Sequence, residues 1–229
     1  MPINGDFGNG FLKLGTTPTL TVTDYFQPSN TVQESNADEE DLDSGGALVL
    51  PDLANASGTI RHLALGAGKN STIYVVNRDS MGKFDSNADH IYQELVGQIR
   101  GPMFAAPAYF SNTVYFGSIG DSIKAFTITN AALSSTPQTA NAFGSPGATP
   151  SISANGATNG ILWAVENGTI AGLRAYDATN LGRQLYNSGD TGGRDQFGQG
   201  NKFITPMIAN GKVYVGTKNG VGVFGLLGK

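Results

Sequence analysis

A short frame recurs four times along this chain and restricts what it can fold into more than any other feature. The clearest copy is the last, residues 204–227, where a Pro follows a short apolar lead and Asn210-Gly211 makes a turn. An alternating strand comes next, then a polar Gly-rich turn and a second alternating strand. Asn-Gly between alternating apolar runs is a strong hairpin signal, because both residues tolerate the positive φ of a tight primed turn. Aligning copies on Val213-Tyr214-Val215-Gly216 gives Leu162-Trp163-Ala164-Val165, Val114-Tyr115-Phe116-Gly117 and Leu63-Ala64-Leu65-Gly66, at steps of 51, 48 and 51 residues. Each is followed by a polar turn and a further strand, and Pro206, Pro150 and Pro107 precede three of them.

One all-β unit recurring at this interval predicts a β-propeller of four-stranded antiparallel blades. The expected blades cover residues 47–99, 103–143, 147–188 and 202–227, with a partial blade at 4–28, all within a single domain of 1–229. The last blade lacks an outer strand, and residues 20–26 alternate as a spare outer strand would. Strands from both ends sharing one blade would close a four-bladed ring and remove exposed edges. A second copy of the chain could instead complete one eight-bladed ring about a two-fold axis. The Ser-, Thr-, Ala- and Asn-rich stretch 130–143 carries no clear strand pattern.

With 32 Gly and 14% charged residues, the composition suits many short strands joined by tight turns. The net charge of −4 provides no basic field, which argues against nucleic acid as a partner. No apolar run reaches the length of a membrane span. The absence of Cys excludes disulfides, thiolate metal sites and a Cys nucleophile. The first 14 residues lack the basic start and apolar core of a signal peptide.

The frame Ala-Pro-x-x-x-Asn-x-x-Val-Tyr-x-Gly at 106–117, with its counterpart at 205–216, resembles the blade repeat of pyrroloquinoline-quinone-type propellers. The run Asp41-Leu42-Asp43 and the stretch 66–79 are similar to one blade of the quinoprotein alcohol dehydrogenases. The resemblance implies a periplasmic or secreted protein and places Lys69 where that family has a basic residue facing the quinone. It covers nearly the whole chain and is similar also to the C-terminal part of longer secreted bacterial propellers. The family's calcium ligands and catalytic Asp have no counterpart here, so the resemblance does not imply that pyrroloquinoline quinone binds to this chain alone.

In such blades the loop between the second and third strands and the loop to the next blade lie at one end. That rim collects Lys69, Asp121, Glu166 and Lys218 from the first set of loops, and residues 38–43, Arg100, Arg194 and Asp195 from the second. Asp41 and Asp43 offer oxygen ligands for a hard cation such as calcium, although an acidic run without EF-hand order is more often a solvated loop. Lys69 could meet an anion or quinone, or simply decorate a turn. Asp121 and Glu166 could work as acid and base across a channel, against the ordinary role of capping turns. Arg194-Asp195 could clamp a carboxylate or phosphate, against internal pairing. His62 and His90 stand outside any zinc spacing, Trp163 takes the repeat's Tyr position as a core residue, and no Gly-x-Ser-x-Gly elbow is present. The sequence therefore favours a non-catalytic binding or scaffold module that presents a charged rim to a small molecule or protein. The competing expectation is an enzyme, either a metal-assisted hydrolase or a quinone-dependent oxidoreductase.

Overall fold

The computed structural model describes residues 5, 7–31 and 41–226, apart from the side chains of 135–140. The acidic residues 38–40 lie outside the described residues. The fold is all-β, a succession of small antiparallel sheets whose strands pair mostly with their neighbours in sequence. Sheet I holds β1 (Phe11–Gly15) and β2 (Thr21–Phe26). Sheet II orders β3 (Leu48–Val49), β6 (Leu63–Ala67), β7 (Ile73–Asn77) and β8 (Gln93–Leu95), with a side hairpin of β4 (Leu53–Ala54) and β5 (Ile60–Arg61). Sheet III runs β9 (Ala108–Phe110), β10 (Thr113–Phe116), β11 (Asp121–Thr129) and β12 (Ala132–Phe143). Sheet IV runs β13 (Ser151–Asn155), β14 (Thr158–Glu166), β15 (Gly172–Asp177) and β16 (Asn180–Asn187). Sheet V has three strands, β17 (Met207–Ala209), β18 (Lys212–Gly216) and β19 (Val221–Phe224). Among the described residues no helix is long and apolar enough to cross a membrane.

Four separate buried clusters lie between consecutive sheets, one for each step along the chain. Phe11 and Phe26 of sheet I meet Ala64, Tyr74 and Val76 of sheet II. From the other face of sheet II, Leu65, Ile73 and Val75 meet Val114, Phe116 and Phe126 of sheet III. Tyr115, Ile123 and Ala125 meet Leu162, Ala164 and Tyr176 of sheet IV. Val165 and Leu173 then meet Val213 and Val215 of sheet V. Because successive side chains in a strand point to opposite faces, a central strand covered on both sides must be apolar at nearly every position. That is how Leu63–Ala67 and residues 73–76 read, as unbroken buried runs.

This parity corrects the alignment of the first repeat. Val114, Leu162 and Val213 all face the preceding sheet, and in sheet II the residue that does so is Ala64, with Leu63 and Leu65 turned the other way. The matching frame is Ala64-Leu65-Gly66-Ala67, one residue later than the motif suggests. A slip of one residue in a strand exchanges every inward and outward side chain, so the hydrophobic pattern alone cannot tell the two registers apart when both faces are buried. Residues 132–143 form a full outer strand despite their polar composition, paired with β11 through two register irregularities. The N-terminal strand β2 pairs with β1 in a sheet of its own and does not complete sheet V.

Backbone hydrogen bonds stitch the turns and linkers together at one end. In sheets II, III and IV the turn after the second strand accepts from the linker that follows: Met103 N to Gly68 O at 3.1 Å, Ala148 N to Gly117 O at 3.0 Å and Gly200 N to Gly168 O at 2.9 Å. Turns also donate back to the linker before them, as Lys69 N does to Asp41 O (2.9 Å), Ile119 N to Pro102 O (3.1 Å) and Lys218 N to Gln199 O (3.1 Å). These approaches are so close that a Cβ on Gly68 would strike the backbone of Asp41 and Leu42, and one on Gly117 the carbonyl of Ala148.

Phe116 is fully buried and meets Phe126 edge-on at 5.7 Å, at the centre of the cluster joining sheets II and III. Phe116→Ala is expected to cost about 3–5 kcal/mol of stability, the usual range for truncating a core aromatic. Urea unfolding should show this as a lowered midpoint with an unchanged slope.

Candidate functional site

Several of the charged residues that the sequence assigns to a rim are paired with one another or with neighbours. Lys69 Nζ lies 2.7 Å from Asp41 Oδ2, so the lysine marked by the quinoprotein resemblance holds the linker carboxylate proposed as a cation ligand. Asp43 sits exposed in the 3-10 turn Leu42–Ser44. Among the described residues no group of three or more His, Cys, Asp or Glu is placed to hold a metal.

Asp121 is mostly buried and serves three neighbours. It accepts from Arg100 N at 2.8 Å and from Ser122 N at 2.9 Å, and it pairs with Lys124 Nζ at 2.8 Å. Lys124 in turn donates to Gln98 O at 2.7 Å, so this ion pair pins the linker between sheets II and III onto the face of sheet III. Arg100 joins the cluster through its backbone, and its side chain is exposed. Glu166 accepts from Arg174 at 2.6 and 3.0 Å, diagonally across the β14–β15 pair, where Glu166 stands opposite Gly172 and Arg174 opposite Ala164. Lys218 is exposed on the turn between β18 and β19. The sequence-predicted residues thus come together as Lys69 with Asp41, Arg100 with Asp121, and Arg194 with Asp195. Glu166 and Lys218 stand apart from these pairs.

At the rim the linkers converge on a cavity of only about 10 Å³, lined by Phe104, Pro146, Asn167, Phe203 and Ile204 among others. That is room for roughly one water molecule. Phe203 sits in the left-handed region at φ 64°, a costly conformation for a bulky residue, and its ring meets that of Phe104 edge-on at 6.1 Å.

The large concavity lies elsewhere, between sheets IV and V. It is an open groove of about 740 Å³ whose walls include Trp163, Leu185, Tyr186, Phe224 and Leu226. Trp163 Nε1 donates to Ser153 Oγ at 2.8 Å, which fixes the indole plane. Phe224 packs edge-on against Phe197 at 5.0 Å and against Tyr186 at 6.3 Å. Arg194 and Asp195 reach this groove and carry its polar end. Arg194 Nε and Nη2 reach the two oxygens of Asp195 at 2.6 and 2.8 Å, and the Tyr186 hydroxyl donates to Asp195 at 2.6 Å. The Arg194 guanidinium and the Tyr186 hydroxyl hold the Asp195 carboxyl down at about 2. Burial, and then the neighbouring Asp195 carboxylate, push the Tyr186 phenol up. The corresponding wedge between sheets III and IV is about 290 Å³, and Leu181 of the fourth strand lines it. Sequence reasoning found Arg194 and Asp195 and the position of Trp163, but gave the first two to the rim and the third to the core. Nothing local in the sequence marks a groove made by the space between two sheets.

No protein-family model matches the sequence, and no curated protein matches it. Among solved structures, the computationally designed Ika4 protein matches with a TM-score of 0.46 at 13% identity, over 72% of this chain and 85% of its own. The computationally designed Ika8 protein matches with a TM-score of 0.48 at 14% identity, over 72% of this chain and 43% of its own. A candidate 6-phosphogluconolactonase from Bacteroides uniformis matches with a TM-score of 0.49 at 11% identity, over 94% of this chain and 62% of its own. Likeness at this level carries no functional information.

Three phenols titrate late. Burial pushes Tyr115 and Tyr176 up to about 12, and Tyr186 is raised by burial and by Asp195. The unfolded chain releases these protons near pH 10. Their contribution to stability is therefore complete below that value and is lost as pH climbs through about 12. In a spectrophotometric titration, Tyr115→Phe, Tyr176→Phe or Tyr186→Phe is expected to leave the tyrosinate signal developed just above pH 10 unchanged. A diminished signal there would show an ordinary phenol at that position.

Proposed function

We propose that this protein is a non-catalytic binding scaffold whose ligand occupies the groove between sheets IV and V. The observation that carries this reading is a division of labour. Asp41, Lys69, Asp121, Glu166 and Arg174 are engaged with fixed internal partners, whereas the groove of about 740 Å³ is apolar and aromatic with one polar end. A general acid, base or nucleophile needs a titratable group poised toward a substrate, and the rim groups are turned toward each other. The recurrence of one sheet, linker and clamp supports arranging the sheets as propeller blades. Under that arrangement the chain supplies about four blades plus a partial one, and the quinoprotein-like repeat is a scaffold without its catalytic set.

The groove suits a ligand with a flat apolar body and a terminal anionic group. Trp163 and Phe224 offer aromatic surface, and Arg194 uses two of its five N–H donors on Asp195. 1-Anilinonaphthalene-8-sulfonate has this shape and charge and serves as a probe. Trp163 is the sole tryptophan, so binding in the groove should quench its emission as the dye brightens. Arg194→Ala should weaken the dye about tenfold, the loss of one charge-assisted hydrogen bond. Dye that binds without quenching Trp163, or with the same affinity after Arg194→Ala, would remove the groove from the proposal. The enzymatic alternative is tested separately, by metal analysis of the purified protein together with oxidase, esterase and phosphoesterase assays. No metal-dependent turnover is expected, and turnover abolished by Asp41→Ala or Asp43→Ala would replace the scaffold reading with a hydrolase.

A further inference from the structure

Each internal sheet has a forward face toward the next sheet and a backward face toward the one before, and both are buried. The two end sheets each have one face left over. On sheet V the forward face carries Met207, Tyr214, Val221 and Val223, opposite to the Val213, Val215 and Phe224 that pack on sheet IV. On sheet I the backward face carries Leu12, Leu14 and Val22, opposite to the Phe11 and Phe26 that pack on sheet II. Leu20 leads into that strand. Of the fourteen large exposed hydrophobic residues among the described residues, seven belong to these two faces: Leu12, Leu14, Leu20, Val22, Met207, Val221 and Val223.

These are the residues that the fold's own rule would bury. Tyr214 occupies the position that Tyr115 holds in sheet III, forward-facing and buried against sheet IV, and that Trp163 holds in sheet IV. Val221 follows Asn219-Gly220 as Phe11 follows Asn9-Gly10, which makes β1 the counterpart of a third strand. Sheet V thus ends in a forward face of the kind that a backward face normally covers, and sheet I begins with such a backward face. Within one copy the two faces do not cover each other, since both are exposed.

We infer that a second copy of this chain supplies the cover. The forward face of sheet V in each copy stacks on the backward face of sheet I in the other, so that the two copies form a closed head-to-tail pair. The contact continues an interface already made four times within the chain. A forward face meeting a backward face is heterologous, and it ends in a finite particle only if the second junction closes on the first. The inference rests on sheet stacking and not on the ligand groove, so each can fail without the other.

The test is complementation between blocked ends, read by light scattering after size exclusion. Wild-type protein should have twice the mass of the chain. Met207→Glu with Val221→Glu blocks the forward end, and Leu12→Glu with Leu14→Glu blocks the backward end. Each double variant should run at the mass of one chain, with far-UV circular dichroism and Trp163 emission unchanged. Mixing the two should restore the doubled mass, because each retains the end that the other has lost. Should the glutamates cost the fold, the cysteine-free chain allows a second route. Val221→Cys and Leu14→Cys copies, mixed with a short bis-maleimide, should give a mixed cross-linked pair in preference to either self-linked product. A wild type that stays at the mass of one chain at every concentration would overturn the inference. So would a doubled mass that survives both blocks, folded variants that fail to complement, or mass that grows without limit.

Discussion

The structure depends on sheets that are apolar on both faces and therefore cannot stand alone. A three- or four-stranded antiparallel sheet in solution usually hides one face and wets the other. Here Leu65 and Ala64, Tyr115 and Val114, and Val165 and Leu162 point to opposite sides of the same strands, and both sides are buried. Each internal sheet is consequently the core of two neighbours, and stability is shared along the stack rather than concentrated in one centre. The rim hydrogen bonds follow from this. Once consecutive sheets stack face to face, the turn of one sheet and the linker to the next are forced within reach. Gly68 and Gly117 are the positions at which that reach leaves no room for a Cβ.

Charge is placed to serve the same end. Exposed ion pairs contribute little, because solvent screens them and ordering two long side chains is costly. The Asp121–Lys124 pair is different, being mostly withdrawn from solvent and bound at both ends to linker backbone through Arg100 N and Gln98 O. Removing either partner would leave a buried charge and a loose linker together. Lys69 with Asp41 and Arg174 with Glu166 repeat the device in milder form, with more exposure. At the rim, Lys69 with Asp41 and Asp121 with Lys124 each fasten a turn or strand to the linker beside it.

Much of the fold was legible because strands buried on two sides leave a dense apolar signature bounded by Gly, Asn and Pro. The strands around Val114, Leu162 and Val213 could be placed from that signature alone. What it could not supply was parity, since an apolar run reads the same in either register. Hence the first repeat was matched at Leu63 although Ala64 is its true counterpart. Residues 132–143 were poorly marked because an outer strand needs few apolar residues, and among its described side chains Leu133 anchors it in the cluster between sheets II and III and Phe143 in that between sheets III and IV. The β4–β5 hairpin escaped for a related reason. Its turn is organised by Asn55, whose side chain accepts from Ser57 N and Thr59 N, a polar device that resembles any loop in sequence. Charged candidates were found readily and their geometry was not, because a Lys in a turn gives no sign of which carboxylate it will meet.

The groove has its origin in the unequal filling of successive wedges. Between sheets III and IV the fourth strand of sheet IV sets Leu181 into the wedge and leaves about 290 Å³. Between sheets IV and V the wedge is about 740 Å³, and sheet V has three described strands. The aromatic ring set of Trp163, Tyr186 and Phe224 is then left facing open space where a neighbouring sheet has a leucine. Tyr186 remains ordered there because Asp195 takes its hydroxyl, and Asp195 remains charged because Arg194 grips both its oxygens. A wedge that was merely underfilled would be expected to collapse, as apolar surfaces do when nothing holds them apart. The Tyr186, Asp195 and Arg194 chain holds one edge of this wedge in a fixed arrangement, tying the linker to the fourth strand of sheet IV beside the exposed rings.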